Sequence, residues 1–182
     1  MEDLSLHILD IAENSMKAGA RRIDIVIRES RVQDLLTIEI ADDGEGMEAE
    51  AVARVQDPFY TTRTTRRVGL GLPMLAEASR AAEGTMDVRS APGRGTTVYA
   101  TFRLSHIDRK PLGNMAETIT TLIAGWPDAD LTYRHERDGR SVSFSTADAR
   151  LRLGGLPLNS VEVLSFISRF LTQEEDSLFH LE

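Results

Sequence analysis

The chain has no cysteine among its 182 residues. That removes disulfides, thiolate zinc sites and cysteine nucleophiles together. No apolar run approaches the roughly 18 residues that a membrane-spanning helix needs. Basic residues are the minority: 21 Lys and Arg face 29 Asp and Glu, for a net charge of -8. That balance argues against a general nucleic-acid surface, though it leaves room for a local basic patch. The N-terminus, MEDLSLHILDIAENS, carries acids where a secretory signal carries bases, so the expected compartment is the cytoplasm. There is no internal repeat and no low-complexity tract. What is present is ordinary for a soluble globular protein: 41% hydrophobic and 27% charged residues. The length suits one domain, or one domain with a small appendage.

Hydrophobic periodicity divides the chain into alternating helices and strands. Leu4, Ile8, Ile11, Ala12 and Ser15 recur at helical spacing and predict a helix over 4–19 with its apolar stripe on a core. Residues 22–28 and 35–40 read as a strand hairpin, and 48–55 as a short helix. Residues 71–82 read as a helix ending near Gly84. Strands follow at 85–90 and 96–104, joined by a Pro- and Gly-rich turn. Beyond a polar connector at 105–111, the pattern predicts a helix over 115–124. A hairpin follows about Asp138-Gly139, with strands at 131–135 and 141–146, and then a last helix over 161–171. The expected organisation is a unit at 1–104 and a small α+β extension at 105–182.

Four short stretches carry chemistry. On the first helix His7, Asp10, Asn14 and Lys17 form a polar stripe opposite the apolar one. Such a stripe is an ordinary solvated face, or a set of groups suited to hydrated magnesium and phosphate. Asp42-x-Gly44-x-Gly46 ends a strand. It reads as an acidic turn, or as a place where backbone approaches a flat ligand and a carboxylate accepts from an exocyclic amine. Gly69-Leu70-Gly71-Leu72 opens a helix and reads as a hinge or a phosphate-binding N-terminus. Gly93-Arg94-Gly95-Thr96 reads as a hairpin turn when taken alone.

Taken together and in order, these stretches resemble the nucleotide-binding domain shared by DNA gyrase, the ninety-kilodalton heat-shock chaperone, histidine kinases and mismatch-repair ATPases, the GHKL superfamily. Glu13-Asn14-Ser15-Met16-Lys17-Ala18-Gly19-Ala20 resembles the N box, and Asp42-Asp43-Gly44-Glu45-Gly46-Met47 the first glycine box. Asp57-Pro58-Phe59-Tyr60-Thr61-Thr62 resembles the F box of histidine kinases, Gly69-Leu70-Gly71-Leu72 the second glycine box, and Gly93 to Val98 the last glycine-threonine element. The resemblance spans about residues 4–104. It implies an α+β two-layer sandwich, the Bergerat ATP-binding fold, with ATP and Mg2+ as ligands. It casts Asn14 as the magnesium ligand, Lys17 as a phosphate contact and Asp42 as acceptor of the adenine amine. Gly44 and Gly46 permit close approach, and Met47 packs near the base. Thr61 to Val68 becomes an ATP lid, with Phe59 at its entrance and Thr61 and Thr62 among its phosphate donors. Gly69, Leu70, Gly71 and Leu72 form the phosphate-facing turn, and Thr96 supports the adenine site.

Four residues before the N-box asparagine, hydrolytic members of the superfamily carry a glutamate and most histidine kinases an asparagine. This chain has Asp10, able to act as a general base or to stay in the magnesium shell. His106-Ile107-Asp108-Arg109-Lys110-Pro111-Leu112 resembles the kinase phosphoacceptor box, but it follows the ATP unit and reads as a connector. Two expectations remain: a histidine-kinase-like ATPase or protein kinase acting with a partner protein, or a nucleotide-gated binding module with little turnover. In the second, 105–182 reads the partner. Neither involves nucleic acid or a membrane span, and the sequence leaves a dimer open.

Overall fold

The computed structural model describes residues 3–56 and 71–179. The expected lid and F box, including Phe59, Thr61, Thr62, Gly69 and Leu70, lie outside the described residues. The chain runs α1 (Leu4–Lys17), β1 (Arg22–Ser30), β2 (Leu35–Asp42), α2 (Ala49–Gln56), α3 (Gly71–Ala81), β3 (Met86–Ser90) and β4 (Thr96–Arg103). It continues with α4 (Met115–Gly125), β5 (Asp130–Arg137), β6 (Arg140–Ser145), α5 (Thr146–Arg152) and α6 (Val161–Phe179).

The six strands form one mixed sheet in the order β3-β4-β2-β1-β5-β6. β1 and β2 pair antiparallel, as do β2 and β4, β3 and β4, and β5 and β6; β1 and β5 run parallel. Residues of the C-terminal segment therefore continue the sheet of the first, with Ile23 beside Leu131 and Ile25 beside Tyr133. The β5–β6 hairpin closes through Asp138 and Gly139, both at positive φ, as its Asp-Gly pair predicts.

Period-two alternation decides which face is buried. Ile23, Ile25 and Ile27 of β1, Leu36, Ile38 and Ile40 of β2, and Val98, Ala100 and Phe102 of β4 all join one core. Leu4, Ile8, Ile11 and Ala12 of α1 and Ile119, Leu122 and Ile123 of α4 pack on it from the helical layer. Each fully buried Leu or Ile contributes roughly 2 kcal/mol. The opposite sheet face is polar, with Arg28 reaching both Glu39 and Glu136. Asp3 caps α1 by accepting from the Leu6 N–H, and Asn114 caps α4 by accepting from the Glu117 N–H.

The structure departs from the sequence expectations in three places. His7 does not belong to a solvated stripe; it is fully buried. The connector lies across the start of α1, where the Leu4 and Ser5 N–H groups donate to the Pro111 and Leu112 carbonyls. Lys110 Nζ then sits 3.5 Å from His7 Nε2. Burial first, and the Lys110 charge second, push the imidazole down to about 4, so it stays neutral. Second, α5 has no counterpart in the expectation. It is only one helix of seven residues, anchored by Arg150, which reaches Asp130 and the Pro127 carbonyl. Third, α6 runs on past Leu171 to Phe179. Its last turns are mostly polar, but Leu178 is buried seven residues after Leu171, and Glu175 between them bonds Tyr133 and His135.

Candidate functional site

The core-facing rows of β2 and β4 end in polar residues. Ile38, Ile40 and then Asp42 occupy successive positions of one row; Phe102, Ala100, Val98 and Thr96 form the next, with Asp42 beside Thr96 in register. The alternation that buries the isoleucines thus aims Asp42 beneath α1. There a cleft of about 640 Å³ opens between α1, the strand ends and the start of α2, within the usual range of small-molecule sites.

Asp42 is the fixed point of this cleft. Its Oδ1 accepts from the Gly44 N–H at 2.8 Å and the Thr96 N–H at 3.2 Å; its Oδ2 accepts from the Ser15 hydroxyl at 2.6 Å. The adjacent Asp43 does something else. Its Oδ1 takes the Arg21 and Arg22 N–H groups and fixes the start of β1. Burial works to raise the Asp43 carboxyl, but those backbone donors outweigh it and hold it below the usual carboxylate range.

A serine absent from the sequence reading ties the first glycine box to the glycine-threonine element. Ser90 Oγ accepts from the Met47 N–H at 2.8 Å, donates to the Gly95 carbonyl at 2.8 Å and lies 2.9 Å from Thr96 Oγ1. Gly46 makes this approach feasible. Its φ is +70°, and a Cβ there would lie 2.0 Å from the Ala91 carbonyl oxygen. Gly46→Ala is therefore expected to destabilise the fold by about 2 kcal/mol, read as a lowered midpoint in urea unfolding.

Of the residues expected in the site, Asn14, Lys17, Asp42, Gly46, Met47, Leu72 and Thr96 line the cleft. Gly44 stands behind Asp42, against the Ala18 carbonyl. Lys17 rests in an exposed pair with Glu13 at 2.9 Å, worth about 0.3–0.5 kcal/mol and readily exchanged for a phosphate. Asp10 does not line the cleft. Its carboxylate lies against the first residue of α3, so close that a Cβ on Gly71 would fall 2.1 Å from Oδ2. The N-terminal end of a helix favours an anion, so Asp10 sits where a phosphate would also be drawn. His106, in the connector, accepts the Asp108 N–H through Nδ1 at 3.1 Å.

Among the described residues no cluster of three or more His, Cys, Asp or Glu side chains stands ready to hold a metal. The one amide oxygen that Asn14 can bring to the cleft lining suits an ion that keeps most of its waters and takes phosphate oxygens, as magnesium does. No helix of the described residues is long and apolar enough to cross a membrane.

Comparisons with known proteins agree with this geometry. The chain is 36% identical over 110 residues to sensor protein kinase FleS of Pseudomonas aeruginosa, covering 60% of this chain and 27% of that protein. It is 30% identical over 112 residues to a non-motile and phage-resistance protein of Caulobacter vibrioides, covering 57% of this chain and 13% of that protein. It thus spans under a third of the length of either relative. Among solved structures, the ADP-complexed MutL ATPase domain of Aquifex aeolicus superposes with a TM-score of 0.51 at 16% identity, over 85% of this chain and 68% of that one. That likeness extends into the C-terminal segment and concerns the fold alone. A family model described as histidine kinase-, DNA gyrase B-, and HSP90-like ATPase matches residues 2–106. The chain belongs to this ATPase family, whose kinase-like ATP-binding domain it carries at its N-terminal end.

Proposed function

We propose that the cleft binds Mg–ATP, with the adenine amine on Asp42 and the phosphates toward Asn14, Lys17 and the start of α3. One observation carries the reading. Asp42 is held at the cleft floor by three donors, which leaves one acceptor position for a base. Met47, Val98 and Ile11 supply apolar walls for a flat ring. A magnesium ion held by Asn14 would offset the charge of the phosphates. Phe59, Thr61, Thr62, Gly69 and Leu70, which lie outside the described residues, are assigned to nucleotide binding.

The bound nucleotide serves hydrolysis or phosphotransfer to a partner protein. In hydrolysis a water oxygen bonds to the γ-phosphorus, the bond to the ADP oxygen breaks, and Asp10 takes the proton. In the gated-module reading, residues 105–182 are assigned to partner recognition. A second reading has a specific observation behind it: Asp10 is pressed against Gly71 instead of lining the cleft. That favours a nucleotide-gated module with slow turnover.

Binding and turnover measured together on wild type, Asp10→Asn and Asn14→Ala separate the two. The hydrolytic reading expects Asp10→Asn to keep ATP binding and lose about a hundredfold in turnover, and Asn14→Ala to lose both. Binding in wild type with no turnover selects the module. No ATP binding in wild type overturns both.

A further inference from the structure

We infer that Ser15 is a positioning residue that makes the floor of the nucleotide cleft an acceptor-only surface, and so selects a 6-aminopurine over a 6-oxopurine. The inference rests on the nucleotide site proposed above and adds to it a residue outside that assignment.

An ionised carboxylate offers about four lone-pair positions. The Gly44 and Thr96 N–H groups fill those of Asp42 Oδ1. Ser15 Oγ takes one position on Oδ2, at 2.6 Å, the short distance of a charge-assisted O–H···O bond. One lone pair on Oδ2 remains, and both Asp42 and Ser15 line the cleft. The Ser15 proton has two acceptors within reach, Asp42 Oδ2 and the Ile11 carbonyl at 3.2 Å. With its proton engaged on either one, the hydroxyl has only lone pairs left to offer the cleft. Ser15 itself is 8% exposed and sits in the buried row of α1 with Ile8, Ile11 and Ala12, which leaves its rotamer little freedom. A base with an amine at this point finds an acceptor. A base with a carbonyl finds lone pair against lone pair, and a polar site left unpaired in this way rejects a ligand strongly.

Ser15→Ala removes the one donor that fixes Oδ2. The carboxylate keeps its two backbone donors but gains a second open position, which water fills and can present as a donor. The acceptor-only character is then lost.

The test is calorimetric titration of the full chain with Mg–ATP and Mg–ITP, for wild type, Ser15→Ala and Ser15→Thr. ITP carries an oxo group at C6 in place of the amine and, with it, a proton on N1. Wild type is expected to prefer ATP by about a hundredfold or more, and Ser15→Ala to lose most of that ratio, by about tenfold or more. Ser15→Thr keeps the hydroxyl and is expected to restore the ratio. Because the ratio is read within one preparation, a partly unfolded variant does not imitate the effect. An unchanged ratio in Ser15→Ala, or equal losses for both nucleotides, overturns the role of Ser15 while leaving the nucleotide site intact. Failure of wild type to bind either nucleotide overturns the site and this inference with it.

Discussion

Asp42→Asn is expected to lower affinity for Mg–ATP by roughly a thousandfold while leaving the fold largely in place. Asn can keep a carbonyl oxygen where Oδ1 accepts from the Gly44 and Thr96 N–H groups. Its amide nitrogen then replaces Oδ2. Ser15 tolerates that exchange, because a hydroxyl accepts as well as donates. The adenine amine does not, since donor meets donor, and turning the amide would set its NH2 against the Gly44 and Thr96 N–H groups. The same substitution should favour a 6-oxo base, so the ATP:ITP preference should shrink or reverse. Titration with both nucleotides reads the change. Equal ATP affinity in wild type and Asp42→Asn would remove Asp42 from the site.

The second large effect lies in a different part of the molecule. His135 is fully buried between two carboxylates. Its Nδ1 is 2.7 Å from Glu175 of α6, and its Nε2 is 3.2 Å from Glu29 of β1. Tyr133 donates its hydroxyl to Glu175 at 2.7 Å, and Arg137 reaches Glu29 at 3.0 Å while stacking over the Phe179 ring. Burial alone would lower the imidazole, but the hydrogen bonds and charges of Glu175 and Glu29 prevail and push it up to about 9. Burial likewise works to raise Glu29, and the contact with His135 and the Arg137 charge bring it below its ordinary value. Burial, and then the Glu175 charge, push the Tyr133 phenol up, so it does not titrate in the same range.

His135 is thus raised in the folded state above its ordinary 6.5. Its contribution is fully present below pH 6.5 and is lost as the pH rises through about 9. The loss amounts to about 3 kcal/mol. Glu175→Ala strands the Tyr133 hydroxyl and one side of a buried imidazolium, at a cost of roughly 3–4 kcal/mol near neutrality. Urea unfolding between pH 6 and 10 checks both points. Wild type should weaken across that range, and the variant should start weaker and fall less. Parallel curves would mean that the cluster does not couple protonation to folding.

The two features differ in how far the sequence made them legible. Asp42 was singled out by the Asp-x-Gly-x-Gly pattern at a strand end and by the family resemblance; that it continues the Leu36-Ile38-Ile40 row by one more step emerges from the structure. The Asp138-Gly139 turn is local and was equally readable. Ser15 was placed correctly on the buried side of α1, yet its bond to Asp42 spans 27 residues and leaves no local mark. Ser90 is hidden for the same reason, as a serine at a strand end. The His135 cluster joins residues 40 and 106 positions apart; the parallel pairing of β1 with β5 brings Glu29 to it and the packing of α6 on the sheet brings Glu175. His7 was misjudged because helical spacing identifies a face but not what later chain covers it. The connector through Lys110 and Pro111 does so here.

The most direct test of the central claim is calorimetric titration of the purified wild-type chain with Mg–ATP. The nucleotide reading predicts saturable binding of one ATP per chain, lost in Asn14→Ala and weakened roughly a thousandfold by Asp42→Asn. Absence of binding by a chain shown to be folded, or binding indifferent to Asp42→Asn, would contradict it.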